Sequence, residues 1–346
     1  MKKIIDKLYS ENNLNESELL NLLNNVSNNE INYLHIKAIE TLNKTYGKKI
    51  FLRGLIEFTN YCKNNCSYCG IRAGNKKCQR YRLSEKEILA ICLEGYTLGY
   101  RTFVLQGGED PYYSDTILTE LIKEIKKQYP DCAVTLSIGE RSPTSYKTLY
   151  NSGADRFLIR EETRSKELYN KLHPNMSYEN REFCLHELKR IGYQIGGGFM
   201  VGLPFQTNAD YVKDLLFLKQ LQPHMIGIGP FIPHKDTSLS KYPPGSIEMT
   251  CILLSILRLL LPEVLLPATT ALGTLDPLGW EKGFYAGANV VMLNLSPPDA
   301  REKYSLYEGK ANIPDDAIKY LSNIKSRIEK CGFTLDTSRG DHISLQ

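Results

Sequence analysis

The stretch Glu57-Phe-Thr-Asn-Tyr-Cys-Lys-Asn-Asn-Cys-Ser-Tyr-Cys-Gly70 places Cys62, Cys66 and Cys69 in the spacing Cys-x3-Cys-x2-Cys. No fourth cysteine falls in register with these three. Three thiolates can bind three irons of a cubane cluster and leave the fourth iron without a protein ligand, whereas ferredoxins fill all four positions with cysteine. An iron left open in this way can bind a substrate or cosubstrate. The spacing therefore predicts a catalytic iron–sulfur site.

Other roles for the three cysteines explain the pattern less well. A structural zinc site usually needs four ligands, commonly in two spaced pairs, and the nearest additional cysteine, Cys78, has no partner. The spacing also fits one buried face of a helix, but Lys63-Asn64-Asn65 is a poor helical segment that follows a predicted strand. A nucleophile or a disulfide would explain one or two cysteines and not the triplet.

The cysteine triplet resembles that of the radical S-adenosylmethionine (SAM) family. In that family SAM chelates the open iron and is reductively split to a 5′-deoxyadenosyl radical. The resemblance implies two cofactors for this chain. These are one 4Fe-4S cluster, held by Cys62, Cys66 and Cys69, and SAM itself.

The composition is that of an ordinary soluble globular protein. The 346 residues exceed the usual size of one domain, but α/β barrels of ~250 residues or more form a single domain. Hydrophobic residues make up 42% and charged residues 24%, and the net charge is +4. Because the lysines are scattered among acidic residues, with no basic block that alternates with aromatics, nucleic-acid binding is not predicted.

Neither the N-terminal residues nor the longest apolar run indicates a membrane or secretory location. Residues 1–7 lack the apolar core of a signal peptide. The apolar run at 251–261 is interrupted by Arg258 and is too short to span a bilayer. Nine cysteines, an odd number, favour reduced thiols and metal ligation over disulfides. We therefore expect a cytoplasmic protein.

Beyond residue 50 the chain alternates apolar, β-branched runs with amphipathic helical patterns. This alternation predicts a complete (β/α)8 TIM-type barrel over residues 50–330, with a doubly wound open sheet as the alternative. The predicted strands are 50–58, 102–106, 133–138, 156–160, 194–201, 225–230, 264–270 and 289–293. The predicted helices are 84–98, 116–128, 143–151, 178–191, 208–221, 246–260, 278–286 and 317–330.

Two segments flank the predicted barrel. Residues 1–49 form an N-terminal helical extension with two predicted helices, one from Asn15 and one over 30–45, which we expect to pack as a lid on the base of the barrel. Residues 331–346 form a polar C-terminal tail that indicates no function.

The family resemblance also implies where SAM binds, since active sites of such barrels lie on the loops after the strands. Tyr68 matches the aromatic residue that packs beside the SAM adenine. Gln106-Gly-Gly-Glu-Asp110 resembles the family's Gly-Gly-Glu motif, whose carbonyls bind the SAM amino group, and glycines permit that approach. Arg181 suits the SAM carboxylate, with a surface arginine as the alternative. The cofactor-binding residues implied by the resemblance are Tyr68, Gln106, Gly107, Gly108, Ser137, Glu162, Arg181 and Met200.

Polar side chains at the ends of the remaining strands could line a substrate pocket inside the barrel. The inner strands otherwise carry no lysine or carboxylate except near the fourth strand. Such a pocket suits a small, hydrogen-bonding substrate that is shielded from water. The predicted pocket residues are Arg160, Thr135, Thr269, Thr270, Met292, Tyr304 and Tyr307.

Two longer stretches, residues 53–72 and Tyr304-Ser-Leu-Tyr-Glu-Gly-Lys310, resemble the FeFe-hydrogenase maturases of the HydE type. That resemblance implies a role in building the diiron subcluster of the hydrogenase. The implied substrate is an organometallic or amino-acid molecule, namely a cysteine-bound iron carbonyl-cyanide unit. The implied partners are other hydrogenase maturases and an electron donor, ferredoxin or flavodoxin. Some members carry a second cluster on three cysteines, but the corresponding segment here, 311–323, has none.

Three alternatives stay open. Biotin synthase has a similar barrel but needs cysteines for a cluster inside it, and only Cys132 approaches an inner strand, at the wrong end. Methylornithine synthase is the stronger rival because it needs no second cluster. A non-catalytic iron–sulfur scaffold is the third alternative, although a scaffold would not need SAM-type motifs on four separate strands.

Overall fold

Parallel strands form the centre of the molecule, which is a computed structural model that describes residues 1–310 and 317–345. In chain order the strands are β1 (Lys49–Thr59), β2 (Thr102–Gly107), β3 (Ala133–Ser137), β4 (Arg156–Leu158), β5 (Gln194–Gly197), β6 (Met200–Val201), β7 (Met225–Ile226), β8 (Gly229–Pro230), β9 (Val290–Asn294) and β10 (Thr334–Asp336). Eight of them make one parallel sheet in the order β10-β1-β2-β3-β4-β5-β7, with β9 also paired to β1. The strands β6 and β8 pair separately with each other.

The complete barrel predicted from the sequence is only partly formed. The fold is α/β with a parallel sheet, but no strand is assigned to the predicted seventh strand, 264–270. Between β7 and β9 there are two isolated bridges, Met225 with Leu265 and Pro267 with Val290. Pro267 has no backbone N–H to donate, which interrupts a regular ladder at this place. The strand ladder therefore does not close.

The helices between the strands agree closely with the predicted ones. The helices that follow β1 are α4 (Glu85–Thr97), α5 (Asp115–Gln128), α6 (Pro143–Asn151), α7 (Lys166–Leu172), α8 (Tyr178–Ile191), α9 (Asn208–Leu221), α10 (Ile247–Leu260), α11 (Thr270–Leu275), α12 (Gly279–Tyr285), α13 (Pro298–Lys303) and α14 (Ala317–Lys330), and a short 3-10 turn spans Ile343–Leu345. Four of these helices, α6, α8, α9 and α14, have the predicted bounds, and α4 begins at a capping box of Ser84 with Glu87.

The N-terminal segment contains three helices, where the sequence predicts two. They are α1 (Lys2–Glu11), α2 (Glu16–Asn25) and α3 (Asn28–Tyr46). They pack against the outer helices α9 and α10; for example, Asn12 Nδ2 donates to Leu259 O at 2.8 Å. They thus cover the side of the sheet. The sequence led us to expect them on the base instead.

The C-terminal segment occupies the base of the sheet, at the amino ends of the strands. The strand β10 pairs with the first residues of β1. Beyond it, Asp341 accepts hydrogen bonds from Arg156 at 2.6 Å and from Gln194 at 2.8 Å. The polar tail, to which the sequence assigns no role, therefore closes one end of the fold. Within the described residues, no helix is long and apolar enough to cross a membrane.

Candidate cofactor and substrate site

The three predicted cluster ligands lie on one loop that leaves the carboxyl end of β1. The thiols of Cys62, Cys66 and Cys69 are partly buried and none is in a disulfide. The neck of the loop is fixed by Arg80, whose guanidinium donates to the carbonyl of Asn60 before the cysteines and to that of Ile71, at 2.7 Å, after them. One cation thus joins the two ends of the loop.

The electrostatics of this loop fit an iron–sulfur cluster. Burial, together with the neighbouring Cys62, raises the pKa of the Cys66 thiol to about 12. Burial, followed by Cys66, also raises the pKa of Cys69. Three thiolates on this partly buried loop therefore need a bound cation to become stable. Soft sulfur ligands of this kind select iron–sulfur clusters and similar metals.

The predicted Gly-Gly-Glu motif lies directly against the cysteine loop. Gln106 and Gly107 end β2, and the backbone of Gly108 follows. A Cβ atom on Gly108 would lie only 2.2 Å from the carbonyl oxygen of Tyr61 and 2.7 Å from the Cβ atom of Cys62. Because this position has no room for a side chain, glycine is what lets the two loops touch.

Glu162 lies beside the residues that join β5 to β6. Its backbone N–H donates to Gly198 O at 3.0 Å, and its carbonyl accepts from the N–H of Met200 at 3.2 Å. Its φ of 64° is left-handed, a strained conformation for glutamate that is found mainly where a side chain must be aimed. The carboxylate Oε2 lies 3.1 Å from Arg160 Nη2. The strand ends thus bring Arg160, Glu162 and Met200 together.

Arg181 is buried, so the alternative of a surface arginine is wrong. Its Nε donates to Glu140 Oε1 at 2.7 Å, and its Nη1 donates to the carbonyl of Arg160. Burial alone would lower the pKa of Arg181, but Tyr169 and Glu140 outweigh it and raise that pKa. The guanidinium is therefore charged and held in one orientation. Sequence reasoning missed Glu140, whose contact with Arg181 lies 41 residues away along the chain.

Tyr68 belongs to a small apolar cluster that is separate from the main core. Its hydroxyl lies 3.0 Å from His173 Nε2, at the end of α7. The other predicted contact on the sheet, Ser137, is in register with Gln106 on β2. The buried members of the apolar cluster around Tyr68 are Leu168, Leu172, Met200, Leu203 and Phe231.

The predicted substrate residues lie on several strands or just after them. Thr135 lies within β3, in register with Arg156 on β4, and Thr269 lies two residues after the bridge at Pro267. The hydroxyls of Thr135 and Thr269 are buried, and neither has a hydrogen-bond partner among the described residues. Tyr307 lies within electrostatic reach of Arg160. Unpaired buried hydroxyls are costly to a fold, so this part of the molecule is prepared to bind something polar.

The remaining predicted pocket residues have other surroundings. Thr270 begins α11. Met292 lies in β9, in register with Arg53, and packs against the main core. The ring of Tyr304 is almost fully buried, and burial, aided by Glu57, raises the pKa of its hydroxyl.

Sequence reasoning missed two charged residues at this site, Glu57 and Lys310, and a third, Arg53, whose guanidinium faces the C-terminal tail. Glu57 on β1 is fully buried, forms an ion pair with Lys310 and accepts from Asn294 Nδ2 at 2.7 Å. Burial raises the pKa of its carboxyl although Lys310 opposes this. Arg53, also on β1, is buried, and its Nε has no partner among the described residues. The expectation that inner strands lack carboxylates away from the fourth strand is therefore wrong. The signal available in the sequence was a charged residue within an otherwise apolar strand.

Comparison with known proteins defines the class. The model of the radical SAM superfamily matches residues 56–218. Together with the full-length similarities below, this shows that the chain belongs to the radical SAM superfamily and is an enzyme of that class. Membership implies a 4Fe-4S cluster and SAM, and the cysteine loop described above fits such a cluster.

The chain is a homologue of the HydE maturases. It is 44% identical over 295 residues to the [FeFe] hydrogenase maturase subunit HydE of Thermotoga maritima, covering 85% of this chain and 84% of that protein. It is 30% identical over 319 residues to the 3-methylornithine synthase of Methanosarcina acetivorans, covering 92% and 88%. A crystal structure of methylornithine synthase matches with a TM-score of 0.83 at 27% identity, over 96% of this chain and 97% of the other.

Proposed function

We propose that this chain cleaves SAM reductively and acts in assembly of the diiron subcluster of an FeFe-hydrogenase. The bound cluster and SAM would supply a 5′-deoxyadenosyl radical. We place the catalytic unit at residues 50–330, around the partly formed barrel. Residues 1–49 and 331–346 support it from outside, and the reaction belongs in the cytoplasm.

Each group around the cysteine loop has a separate task in holding the cofactors. Cys62, Cys66 and Cys69 hold one cluster. Arg181, which Glu140 holds in place at 2.7 Å, binds the SAM carboxylate, since a guanidinium pairs with a carboxylate bidentately. Glu162 binds the ammonium or the ribose.

The remaining contacts to SAM come from a second set of residues. The backbone of Gln106, Gly107 and Gly108 receives the amino group, and Ser137 contacts the ribose. Tyr68 and Met200 pack on the adenine, which suits the small apolar cluster to which both belong.

The substrate we propose is a cysteine-bound iron carbonyl-cyanide unit. The observation that carries this choice is the pair of unpartnered buried hydroxyls, Thr135 and Thr269. With Arg160 they offer a cation and two donors to a cysteine carboxylate or to cyanide nitrogen. Thr270, Tyr304 and Tyr307 exclude water around the fragment, and Met292 adds a polarizable thioether wall.

The proposed partners follow from this chemistry. Another hydrogenase maturase delivers the iron unit, because a metal carbonyl is not a free metabolite. A ferredoxin or flavodoxin supplies the electron for SAM cleavage. No nucleic acid or membrane takes part.

Deletion of the gene tests the assignment. We expect a strain without it to make FeFe-hydrogenase polypeptide that is inactive, and Arg160→Ala to reproduce the defect while the purified variant still binds SAM. The control is Arg190→Ala, because Arg190 is exposed at the end of α8 and paired only with Glu187. Full hydrogenase activity in the deletion strain would contradict the maturase function.

A 3-methylornithine synthase activity is the second candidate. The specific observation in its favour is Glu57, a buried carboxylate beside Lys310 that could receive a proton from an amino-acid substrate. Incubation of the reconstituted enzyme with lysine, SAM and a reductant tests this. Formation of methylornithine would replace the maturase proposal, whereas SAM cleavage without that product would support it. Absence of any SAM cleavage would favour an iron–sulfur scaffold.

A further inference from the structure

We propose that Tyr169 is a further SAM-binding residue, whose hydroxyl hydrogen-bonds the amino-acid end of SAM, and that His173 positions Tyr68 against the adenine end. This inference rests on the proposed SAM binding. It makes α7 and the residue that follows it a wall of the cofactor site.

The first observation is an unsatisfied hydroxyl. Tyr169 has no exposed surface, and its hydroxyl has no hydrogen-bond partner among the described residues. Other buried tyrosines are satisfied, since Tyr193 donates to the carbonyl of Tyr146 at 2.9 Å and Tyr113 to that of Leu83 at 2.5 Å. A buried donor without a partner is costly to the fold, so its retention indicates a ligand.

The second observation is where this hydroxyl lies. Its titratable neighbours are Arg181, Glu140, Cys66 and Glu162, and the Arg181 guanidinium carbon lies 5.9 Å from the centroid of the Tyr169 ring. Glu140 is already bound by Arg181 and by Asn180, each at 2.7 Å. The free partners for the hydroxyl are therefore groups of a ligand between Arg181 and Glu162, which is where the SAM carboxylate and ammonium would lie.

The third observation links Tyr169 to Tyr68 through His173. The rings of Tyr169 and His173 stack with centroids 4.2 Å apart. His173 Nδ1 lies 3.1 Å from the Tyr169 carbonyl, which can only accept, so Nδ1 carries the proton. His173 Nε2 must then accept from the Tyr68 hydroxyl at 3.0 Å. This bond fixes the ring of Tyr68 within the cysteine loop.

The same segment also holds the cysteine loop directly. The N–H of Ser67 donates to the carbonyl of Leu172 at 2.8 Å, and the Ser67 hydroxyl donates to that of Lys171 at 3.1 Å. One short helix thus contacts the loop that binds the cluster, orients the adenine-side aromatic and presents a hydroxyl to the opposite end of SAM.

Paired tyrosine variants of the reconstituted enzyme test the first part. Tyr169→Phe should weaken SAM binding roughly tenfold, which corresponds to ~1.4 kcal/mol, without lowering the melting temperature in the absence of SAM. Tyr193→Phe, which loses a satisfied bond, should lower the melting temperature and leave SAM affinity unchanged. Wild-type affinity for SAM in Tyr169→Phe would overturn the assignment.

The probe 5′-methylthioadenosine, which lacks the amino-acid end of SAM, separates the two roles. Tyr169→Phe should bind it as the wild type does, because the hydroxyl would contact only the missing part. Equal losses for both ligands would overturn the placement. If the wild-type enzyme binds neither ligand, the proposed function itself fails, which is a distinguishable result.

A double-mutant cycle tests the positioning role of His173. If His173 acts through the Tyr68 hydroxyl, then Tyr68→Phe, His173→Phe and the double variant should all show the same loss of methylthioadenosine affinity. Additive losses would show that His173 acts in another way and would overturn this part. Melting temperatures of the three variants report any loss of fold separately.

Discussion

Two arginines four residues apart show how differently the two ends of the sheet are built. Arg156, at the base, donates from all three nitrogens of its guanidinium, to Gln194, Thr102, the carbonyl of Arg339 and Asp341. Arg160, beyond the carboxyl end of β4, has an Nε without a partner among the described residues, and its Nη2 approaches Glu162 without hydrogen-bond geometry. The same residue type is saturated at the start of this strand and available just after its end.

This contrast separates stability from function. Around Arg156, polar groups are paired within the chain, so replacing one should cost stability and leave ligand binding intact. Around Arg160, donors lack partners among the described residues, so replacing one should cost binding and leave stability intact. Four measurements sharpen or break this division, from the largest expected effect to the smallest.

The largest effect is expected at the cysteines. Cys62→Ala should lose the cluster and reduce SAM cleavage to background, because thiolates hold the irons. Cys132→Ala, at the base, removes a buried thiol whose sulfur lies 3.9 Å from the Tyr100 carbonyl, and should keep full iron content. Iron analysis and 5′-deoxyadenosine yield measure both. Normal cleavage by Cys62→Ala would refute the cluster assignment.

The next effect concerns Arg156. Arg156→Met should lower the free energy of unfolding by about 3 kcal/mol, because breaking a buried ion pair leaves its partners unpaired. Chemical denaturation measures the loss, and SAM affinity should stay at the wild-type value. A variant with normal stability but weak SAM binding would reverse the division drawn here.

Arg181 should show the complementary result. Losing a charge-assisted hydrogen bond costs ~1.5–3 kcal/mol, so Arg181→Ala should weaken SAM binding roughly ten- to a hundredfold. Arg190→Ala, at the other end of the same helix, is the matched control. Iron content should not change in either variant. Equal SAM affinity in both would mean that Arg181 serves only the fold.

The smallest effect is expected from two threonines. Thr102 Oγ1 donates to the Arg339 carbonyl at 2.8 Å, so Thr102→Val should cost about 1 kcal/mol of stability. Thr135 Oγ1 has no partner among the described residues, so Thr135→Val should cost no stability and should instead reduce hydrogenase maturation. Denaturation curves and complementation of the deletion strain distinguish the two. Equal stability losses would place Thr135 among the structural residues.

Local signals explain what could be predicted from the sequence. The bounds of α8 follow from Ser177, which caps its start, and Gly192, whose φ of 109° ends it. The cysteine spacing is likewise contained in eight residues. The incorrectly predicted seventh strand shows the limit of such signals. An apolar run predicts burial, but Pro267 lacks the backbone N–H that a regular strand ladder needs.

Contacts between distant residues could not be predicted in this way. Lys310 meets Glu57 across 253 positions of sequence, and Asp341 meets Arg156 across 185. Neither periodicity nor spacing in the sequence indicates which distant residues will pair. The sequence likewise gives no sign that the Tyr169 hydroxyl lacks a partner among the described residues, since tyrosines with and without a hydrogen-bond partner are the same residue type.

The tail at the base has a consequence for how the protein is made. Its Gly340 carbonyl accepts a hydrogen bond from Arg53, 287 positions earlier in the chain. The ribosome therefore completes every strand from β1 to β9 before it makes the tail residues that complete the hydrogen bonds of Arg156. Nascent chains grow at about 5–20 residues per second, and contacts of such long range form late. We expect the newly made sheet to carry an open, cationic base until the tail docks, and that interval is when it is most exposed to proteases and chaperones.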